Sequence, residues 1–258
     1  MKCGRLIMNN IFISRWPVDL AAVNVDGSII DFLEDGSVTF SNEMLSPGAI
    51  ICSWYSKPKQ LFGRFNATLP ILKPNETYHL TLNLIADREE STQVQLIFYD
   101  ADDQEIGRKN LDQSGNFVYP RGSRNFQINL LNIRHHWIHF SDLQITTITD
   151  GNTGVMVFGE HWGIMQGYLT QQLRSNDTLE VVISFEHAQG GYGILSDESA
   201  LYAVTDGQNL TGLIDNLKTI KAEIAPRHFR LIAGKNFYGL ADNARKYLKT
   251  SLMEDGDV

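Results

Sequence analysis

The residues from Ile11 to Ile148 form a succession of short segments in which apolar and polar residues alternate, separated by Gly, Pro, Asn and Asp. Every second residue from Tyr78 to Leu84 is apolar, so one face of a strand there is expected to be buried. Asp35-Gly36 lies between two such segments and predicts a tight hairpin turn. Seven or more short strands at this spacing predict an antiparallel β-sandwich over residues 1–150.

Composition excludes several classes of function. The net charge of the 258 residues is -8, which disfavours nucleic-acid binding because phosphate contacts need a basic surface. No segment approaches the ~20 consecutive apolar residues of a membrane span. The apolar run near the amino terminus is broken by Asn9 and Asn10, which is not typical of a secretory signal, so a cytoplasmic location is expected.

The pattern changes after Asp150 to alternating strands and helices, which predicts a second domain over residues 151–258. Three apolar segments separated by helical patterns predict a small parallel sheet covered on both faces. The predicted strands are Gly154–Phe158, Leu179–Phe185 and Phe229–Ala233. The predicted helices are Trp162–Arg174, Asp197–Val204, Leu210–Ile224 and Leu240–Leu252.

The carboxyl ends of parallel strands are where such sheets bind ligands, so the residues that follow the predicted strands form a candidate ligand crevice. Its residues are Glu160, His161, Glu186, His187, Gly191, Gly193, Ser196 and Lys235. A carboxylate beside an imidazole can orient it for proton transfer, and a glycine-rich loop before a helix can hold a phosphate. The glycines do not complete a dinucleotide or P-loop motif, and Ser196 lacks the flanking glycines of a nucleophile elbow. Ser196 is therefore predicted to cap a helix, and this domain to be non-catalytic.

The first half resembles a known family, the third accessory secretion protein of the accessory Sec system, over roughly residues 10–148. The segments that carry the resemblance follow one another in this order: Asp35-Gly36 with Val38 and Phe40, Ser46-Pro47-Gly48 leading to Trp54, Leu69-Pro70 before the strand of Tyr78, Phe98-Tyr99, Phe117-Val118-Tyr119-Pro120, and Phe126 to Asn132. Their order and spacing carry the resemblance, since each segment alone is short.

The resemblance implies a cytosolic, non-enzymatic protein with a fold like a carbohydrate-binding module. It also implies an adaptor or chaperone that joins sister accessory secretion proteins to deliver a serine-rich glycosylated adhesin to an accessory motor ATPase and translocon. Contact with the membrane would come only through these partners. The family supplies no set of catalytic residues that can be transferred to this sequence, and no cofactor or metal site is predicted.

Aromatic residues near predicted loops are candidates for binding glycan or peptide, because rings offer a large contact area at low entropic cost. The candidate platform consists of Trp54, Tyr55, Phe62, Phe65 and Tyr119. Packing in the sandwich is the competing interpretation of these rings, above all for Trp54.

Two other functions stay open at this stage. The chain could be a carbohydrate-active enzyme, an ester hydrolase or sugar transferase, whose sandwich binds glycan and whose second domain carries out the reaction. It could also be a free-standing lectin-like module.

Overall fold

The computed structural model describes residues 9–17, 19–57, 67–88, 91–147, 154–159, 161–167, 178–186, 191–196 and 200–253. Within these ranges the chain is mainly strand. The strands are β1 (Asn9–Ser14), β2 (Ile29–Phe32), β3 (Val38–Ser41), β4 (Ile50–Tyr55), β5 (Thr77–Ala86), β6 (Thr92–Tyr99), β7 (Glu105–Leu111), β8 (Ser114–Val118), β9 (Asn125–Asn132), β10 (Trp137–Thr147), β11 (Gly154–Gly159), β12 (Trp162–Gly167), β13 (Thr178–Phe185), β14 (Gly191–Ser196), β15 (Ala200–Thr205) and β16 (His228–Ala233), and the helices are α1 (Leu210–Ile224) and α2 (Asp242–Leu252). No helix in the described ranges is long and apolar enough to cross a membrane.

Two antiparallel sheets form the predicted β-sandwich. The centre of the first sheet is β10, which pairs with β5 on one side, and β8 continues the sheet beyond β5. Two shorter strands, β1 and β3, share the other side of β10, and β14 and β2 lie beyond them. The second sheet has the order β4-β9-β6-β7.

The apolar residues of the alternating pattern face the space between the two sheets and form the core there. In β5, Tyr78, Leu80 and Leu82 are buried and the intervening residues are half-buried, as predicted, while Leu84 packs partly buried against the same core. Facing strands contribute large rings and branched chains, and each fully buried one stabilises the fold by roughly 1.5–3 kcal/mol. The sandwich therefore has a substantial core of its own.

The Asp35-Gly36 hairpin is confirmed between β2 and β3. The amide of Leu33 donates to the carbonyl of Ser37 at 2.9 Å, and the Asp35 carboxylate accepts from the Ser37 amide at 2.9 Å. Gly36 has a φ of 76°, and a Cβ there would collide with the guanidinium of Arg15. The backbone conformation therefore favours glycine at this position, and any other residue would also have to displace the end of the Arg15 side chain.

The second half contains a mixed five-stranded sheet in the order β11-β12-β15-β13-β16. Strands β13, β15 and β16 are mutually parallel, whereas β11 and β12 are antiparallel. The predicted strands 154–158, 179–185 and 229–233 are confirmed, as are helix 210–224 and, from Asp242 onwards, the last helix. Asn209 caps α1 by accepting a hydrogen bond from the Gly212 amide at 3.2 Å.

Two predicted helices are wrong, because residues 162–167 form β12 and residues 200–205 form β15. In β15, Leu201 and Ala203 are buried while Tyr202 between them is half-buried, which is the period of a strand. Val204 and Thr205 also favour a strand, and Gly163 and Gly167 disfavour a helix. A short apolar segment is compatible with both the period of a helix and the period of a strand, and pairing within the sheet decides between the two structures.

Both described helices cover the same face of this sheet. Leu213, Leu217 and Ile220 of α1 and Leu248 of α2 belong to one buried cluster with alternate residues of β13. Helices on both faces were predicted from the alternating pattern, but two of the predicted helices are strands. The described helices accordingly form one layer.

The two halves of the chain are joined through a shared sheet. Strand β14, which comes after residue 150, pairs antiparallel with β1 along its whole length, from Gly191 opposite Ser14 to Ser196 opposite Asn9. Ile13 of β1 is fully buried and belongs to the hydrophobic cluster of the second half. A strand from the predicted second domain is thus part of the sandwich's first sheet.

Candidate functional site

Two of the rings predicted to form a binding platform are core residues instead. Trp54 is fully buried, its indole Nε1 donates to the carbonyl of Arg15 at 2.7 Å, and its ring lies 5.6 Å from that of Phe140. Tyr119 is buried between Phe98 and Phe126, and burial raises the pKa of its hydroxyl. Neither ring can stack on a ligand from solvent. The competing interpretation, packing within the sandwich, is correct for both.

Tyr55 differs from its neighbour Trp54 because successive residues of a strand point to opposite faces. It is half-buried on the outer face of the second sheet, opposite Gln127 of β9. Phe62 and Phe65 lie outside the described residues. A platform made of Tyr55, Phe62 and Phe65 therefore stays a prediction.

The outer face of the second sheet also carries a row of polar side chains that sequence reasoning missed. The Ser53 hydroxyl donates to Oδ1 of Asn129 at 2.7 Å, and Nδ2 of Asn129 donates to Oε1 of Gln95 at 3.2 Å. Ser53 and Asn129 are buried, so these hydrogen bonds satisfy groups that water cannot reach. The row ties β4, β9 and β6 together, and alternation of Asn and Gln with apolar residues in β9 is the signal that could have revealed it.

The predicted crevice lies where the parallel strands β13, β15 and β16 end. Backbone hydrogen bonds hold this edge together, because Glu186 donates to the carbonyl of Thr205 at 3.0 Å and Phe185 donates to that of Lys235 at 2.9 Å. The turn between β11 and β12 meets the same edge, where the Asp206 amide donates to the carbonyl of His161 at 3.1 Å. A cavity of about 500 Å³ opens here, lined by Phe185, Glu186, Asn236 and Gly239.

Three of the predicted crevice residues, His161, Glu186 and Lys235, lie at this edge. Two of them pair with each other, and the third pairs with a residue that was not predicted. Glu186 forms an ion pair with Lys235, whose side chain is mostly exposed. Nδ1 of His161 lies 2.9 Å from a carboxylate oxygen of Asp206, and both side chains are largely buried. Asp206 was missed because residues 197–204 were predicted to be a helix, although Asp206-Gly207 is itself a turn signal.

The other predicted crevice residues do not form the expected phosphate loop. Gly191, Gly193 and Ser196 are strand residues of β14, and no helix begins at Ser196, so the predicted cap is wrong. Glu160 and His187 lie outside the described residues. The His161–Asp206 pair can hold or move a proton, but acyl or glycosyl transfer also needs a positioned nucleophile and oxyanion donors. Among the described side chains, no group of three His, Cys, Asp or Glu residues could hold a metal ion.

The described residues define a β-sandwich joined to a mixed sheet, whose edge carries a cavity beside the Glu186–Lys235 ion pair. Residues 25–147 match the family model for the third accessory secretory protein of the accessory Sec secretory system. The match spans a little under half of the chain and most of the sandwich, and it confirms the resemblance seen in the sequence. Residues 148–258 lie beyond the match.

Three streptococcal proteins are similar to this chain. The third accessory secretory protein of the accessory Sec system of Streptococcus gordonii is 28% identical over 130 residues, which span 50% of this chain and 81% of that protein. A chain in the crystal structure of accessory secretory proteins 1, 2 and 3 of Streptococcus pneumoniae shares the fold, with 23% identity, a TM-score of 0.50, and coverage of 53% of this chain and 96% of that one. A chain of the Gap123 complex of Streptococcus agalactiae is 20% identical with a TM-score of 0.49, covering 86% of this chain and 70% of that one.

Proposed function

We propose that this protein is a non-enzymatic adaptor that joins sister accessory secretion proteins, and that the assembly delivers a serine-rich glycosylated adhesin to an accessory motor ATPase. The observation that carries the proposal is the family match, which spans nearly the whole sandwich. The pneumococcal relative is a chain in a crystal structure of accessory secretory proteins 1, 2 and 3. Such an adaptor would act in the cytoplasm and reach the membrane through its partners.

Exposed apolar side chains on the sandwich support a role in protein binding. Ile29 and Met44, whose segments are linked by hydrogen bonds of Asn42, each leave most of their surface in water. Single exposed apolar residues are ordinary, whereas neighbouring ones that form a patch are typical of a surface that another protein covers. The buried Trp54 and Tyr119, in contrast, supply no surface for stacking on a sugar.

Affinity isolation from cells that express the sister accessory secretion proteins tests the adaptor role. The tagged full-length chain is expected to retain those proteins in fixed proportion through gel filtration. A similarly tagged, unrelated β-sandwich protein serves as the control and is expected to retain none of them. Recovery of the chain alone from cells that contain all the sister proteins would contradict the proposal.

A carbohydrate-active enzyme is the second candidate function, and the His161–Asp206 pair is the observation that favours it. Hydrolysis of an acetyl ester separates the two candidates. We expect the wild type, His161→Ala and Asp206→Asn to show the same background rate, with His228→Ala as a control for loss of an exposed histidine in the same sheet. A wild-type rate well above buffer that falls only in the first two variants would instead establish an enzyme.

A further inference from the structure

The free edge of β2 is an exposed, apolar strand with an acidic surround. In the described structure β2 pairs only with β3 and ends the first sheet on this side. We infer that this edge docks an extended segment of a partner protein in which apolar residues alternate with Lys or Arg, added to the sheet as a further strand. The inference deepens the proposed adaptor function, on which it rests, by naming the surface and the chemistry of its partner.

Apolar side chains on and around this edge are open to solvent. The exposed fraction is 64% for Ile29, 50% for Phe32, 43% for Leu33 and 88% for Met44. Asn42 holds the Met44 segment close to the start of β2, because its Nδ2 donates to the carbonyl of Asp26 at 2.9 Å and its Oδ1 accepts from the Met44 amide at 2.9 Å. We call these four apolar side chains, together with the backbone of β2, the β2 edge surface.

Two other edges of the sandwich, those of β7 and β4, are protected in ways that β2 is not. The edge strand β7 carries Glu105, Arg108 and Lys109, and charged side chains discourage pairing with another chain. The edge of β4 is partly covered, since Val23 forms a bridge with Cys52. In β2, Asp31 is the one charged residue among Ile29, Ile30 and Phe32. An unprotected apolar edge is the usual geometry for binding by strand addition.

Charge around the β2 edge surface selects the partner. Residues 16–56 contain six acidic residues and no Lys, Arg or His, and the neighbouring Arg15 is buried, with its guanidinium donating to the Asp35 carbonyl at 3.0 Å. Five of the six are exposed: Asp26, Asp31, Glu34, Asp35 and Glu43. Hydrogen bonding from the Ser37 side chain lowers the pKa of Asp35, which keeps that carboxyl ionised. A partner strand that carries Lys or Arg next to its apolar residues would complement this rim.

The same charges disfavour the other occupants of an open edge. Pairing of β2 with β2 of a second copy would bring two acidic rims together, and like charges across an interface are costly. An anionic membrane surface would be repelled by the same carboxylates. An extended segment fits the free strand edge, because another strand can form hydrogen bonds with the backbone amides and carbonyls that do not pair with β3.

A synthetic peptide that alternates lysine with valine tests the chemistry without any natural partner. Fluorescence anisotropy with the full-length chain is expected to show binding that weakens as salt is raised, and no binding of the same peptide with glutamate in place of lysine. The variant Asp31→Lys with Glu34→Lys is expected to bind roughly tenfold more weakly. The control Glu76→Lys with Asp112→Lys makes the same change in net charge elsewhere on the sandwich and should bind as the wild type does. Equal binding by all three proteins, or none by the wild type, would overturn the inference.

Partner capture separates failure of this inference from failure of the adaptor proposal. Ile29→Ser with Phe32→Ser is expected to lose the sister accessory secretion proteins, whereas Ile71→Ser with Val118→Ser, which also removes two exposed apolar residues, should keep them. Thermal melting of each variant confirms that it is folded. Undiminished capture by the β2 variant would refute the docking site while leaving the adaptor role intact. A dimer of the wild type that this variant abolishes would show that a second copy occupies the edge instead.

Discussion

Replacement of Trp54 by alanine is expected to destabilise the protein by about 3–5 kcal/mol, the usual cost of removing a large buried aromatic side chain. The indole is fully buried in the sandwich core, where it packs against Phe140. Its removal also leaves the Arg15 carbonyl without the donor that now lies at 2.7 Å. A loss of this size is a large fraction of the stability of an ordinary domain.

Urea unfolding followed by circular dichroism measures this effect, with Trp137→Ala as the matched control. Trp137 lies on β10 of the same sandwich but is 41% exposed, so its replacement should change the unfolding free energy far less. Trp54→Phe keeps a ring in the core but not the donor, and should cost an intermediate amount. Near-wild-type stability of Trp54→Ala combined with loss of ligand capture would restore Trp54 to the binding platform.

Removal of residues 151–258 is expected to convert the chain into aggregates rather than leave a free-standing sandwich. The truncation takes away β14, which pairs with β1 along six residue positions. The outer edge of β1 would then present unpaired backbone groups, and Ile13 would lose the cluster that buries it. Exposed edges of this kind pair with other chains.

Gel filtration with light scattering checks the truncation. A control that joins residues 191–196 to the truncated chain through a flexible linker restores the missing strand and should shift the protein back towards the monomer. A truncated chain that is monomeric and unfolds cooperatively at the wild-type urea concentration would show that the sandwich does not need β14. A test for free-standing lectin activity therefore has to use the full-length chain as well as residues 1–150.

Much of the sandwich could be predicted from the sequence because its signals are local. Alternation in β5 identified the buried face, and Asp35-Gly36 identified a hairpin that only a residue tolerant of positive φ can make. The periodicity of α1 likewise identified its buried residues, including Leu213, Leu217 and Ile220. In each case the residues that specify the structure are neighbours along the chain.

The candidate site was predicted less completely, since its residues come from separate segments. Glu186 and Lys235 were expected at one edge and do form an ion pair there. Asp206 was missed because Ala200–Thr205, a strand in the structure, was predicted as a helix. A short apolar segment is compatible with either a helix or a strand, and only pairing with a neighbouring strand decides which of the two forms.

The sequence by itself determined the sandwich, the Asp35-Gly36 hairpin and the resemblance to a known family, because these depend on alternation and on residues close together in the chain. Tertiary structure alone decided that Trp54 and Tyr119 face the core and that residues 191–196 add a strand to the first sheet. It also decided that, among the described strands, none lies on the outer side of β2. Segments far away in the sequence decide which face of a strand is covered and which strand lies beside it. The free energy of pairing with those segments cannot be read from the local sequence pattern.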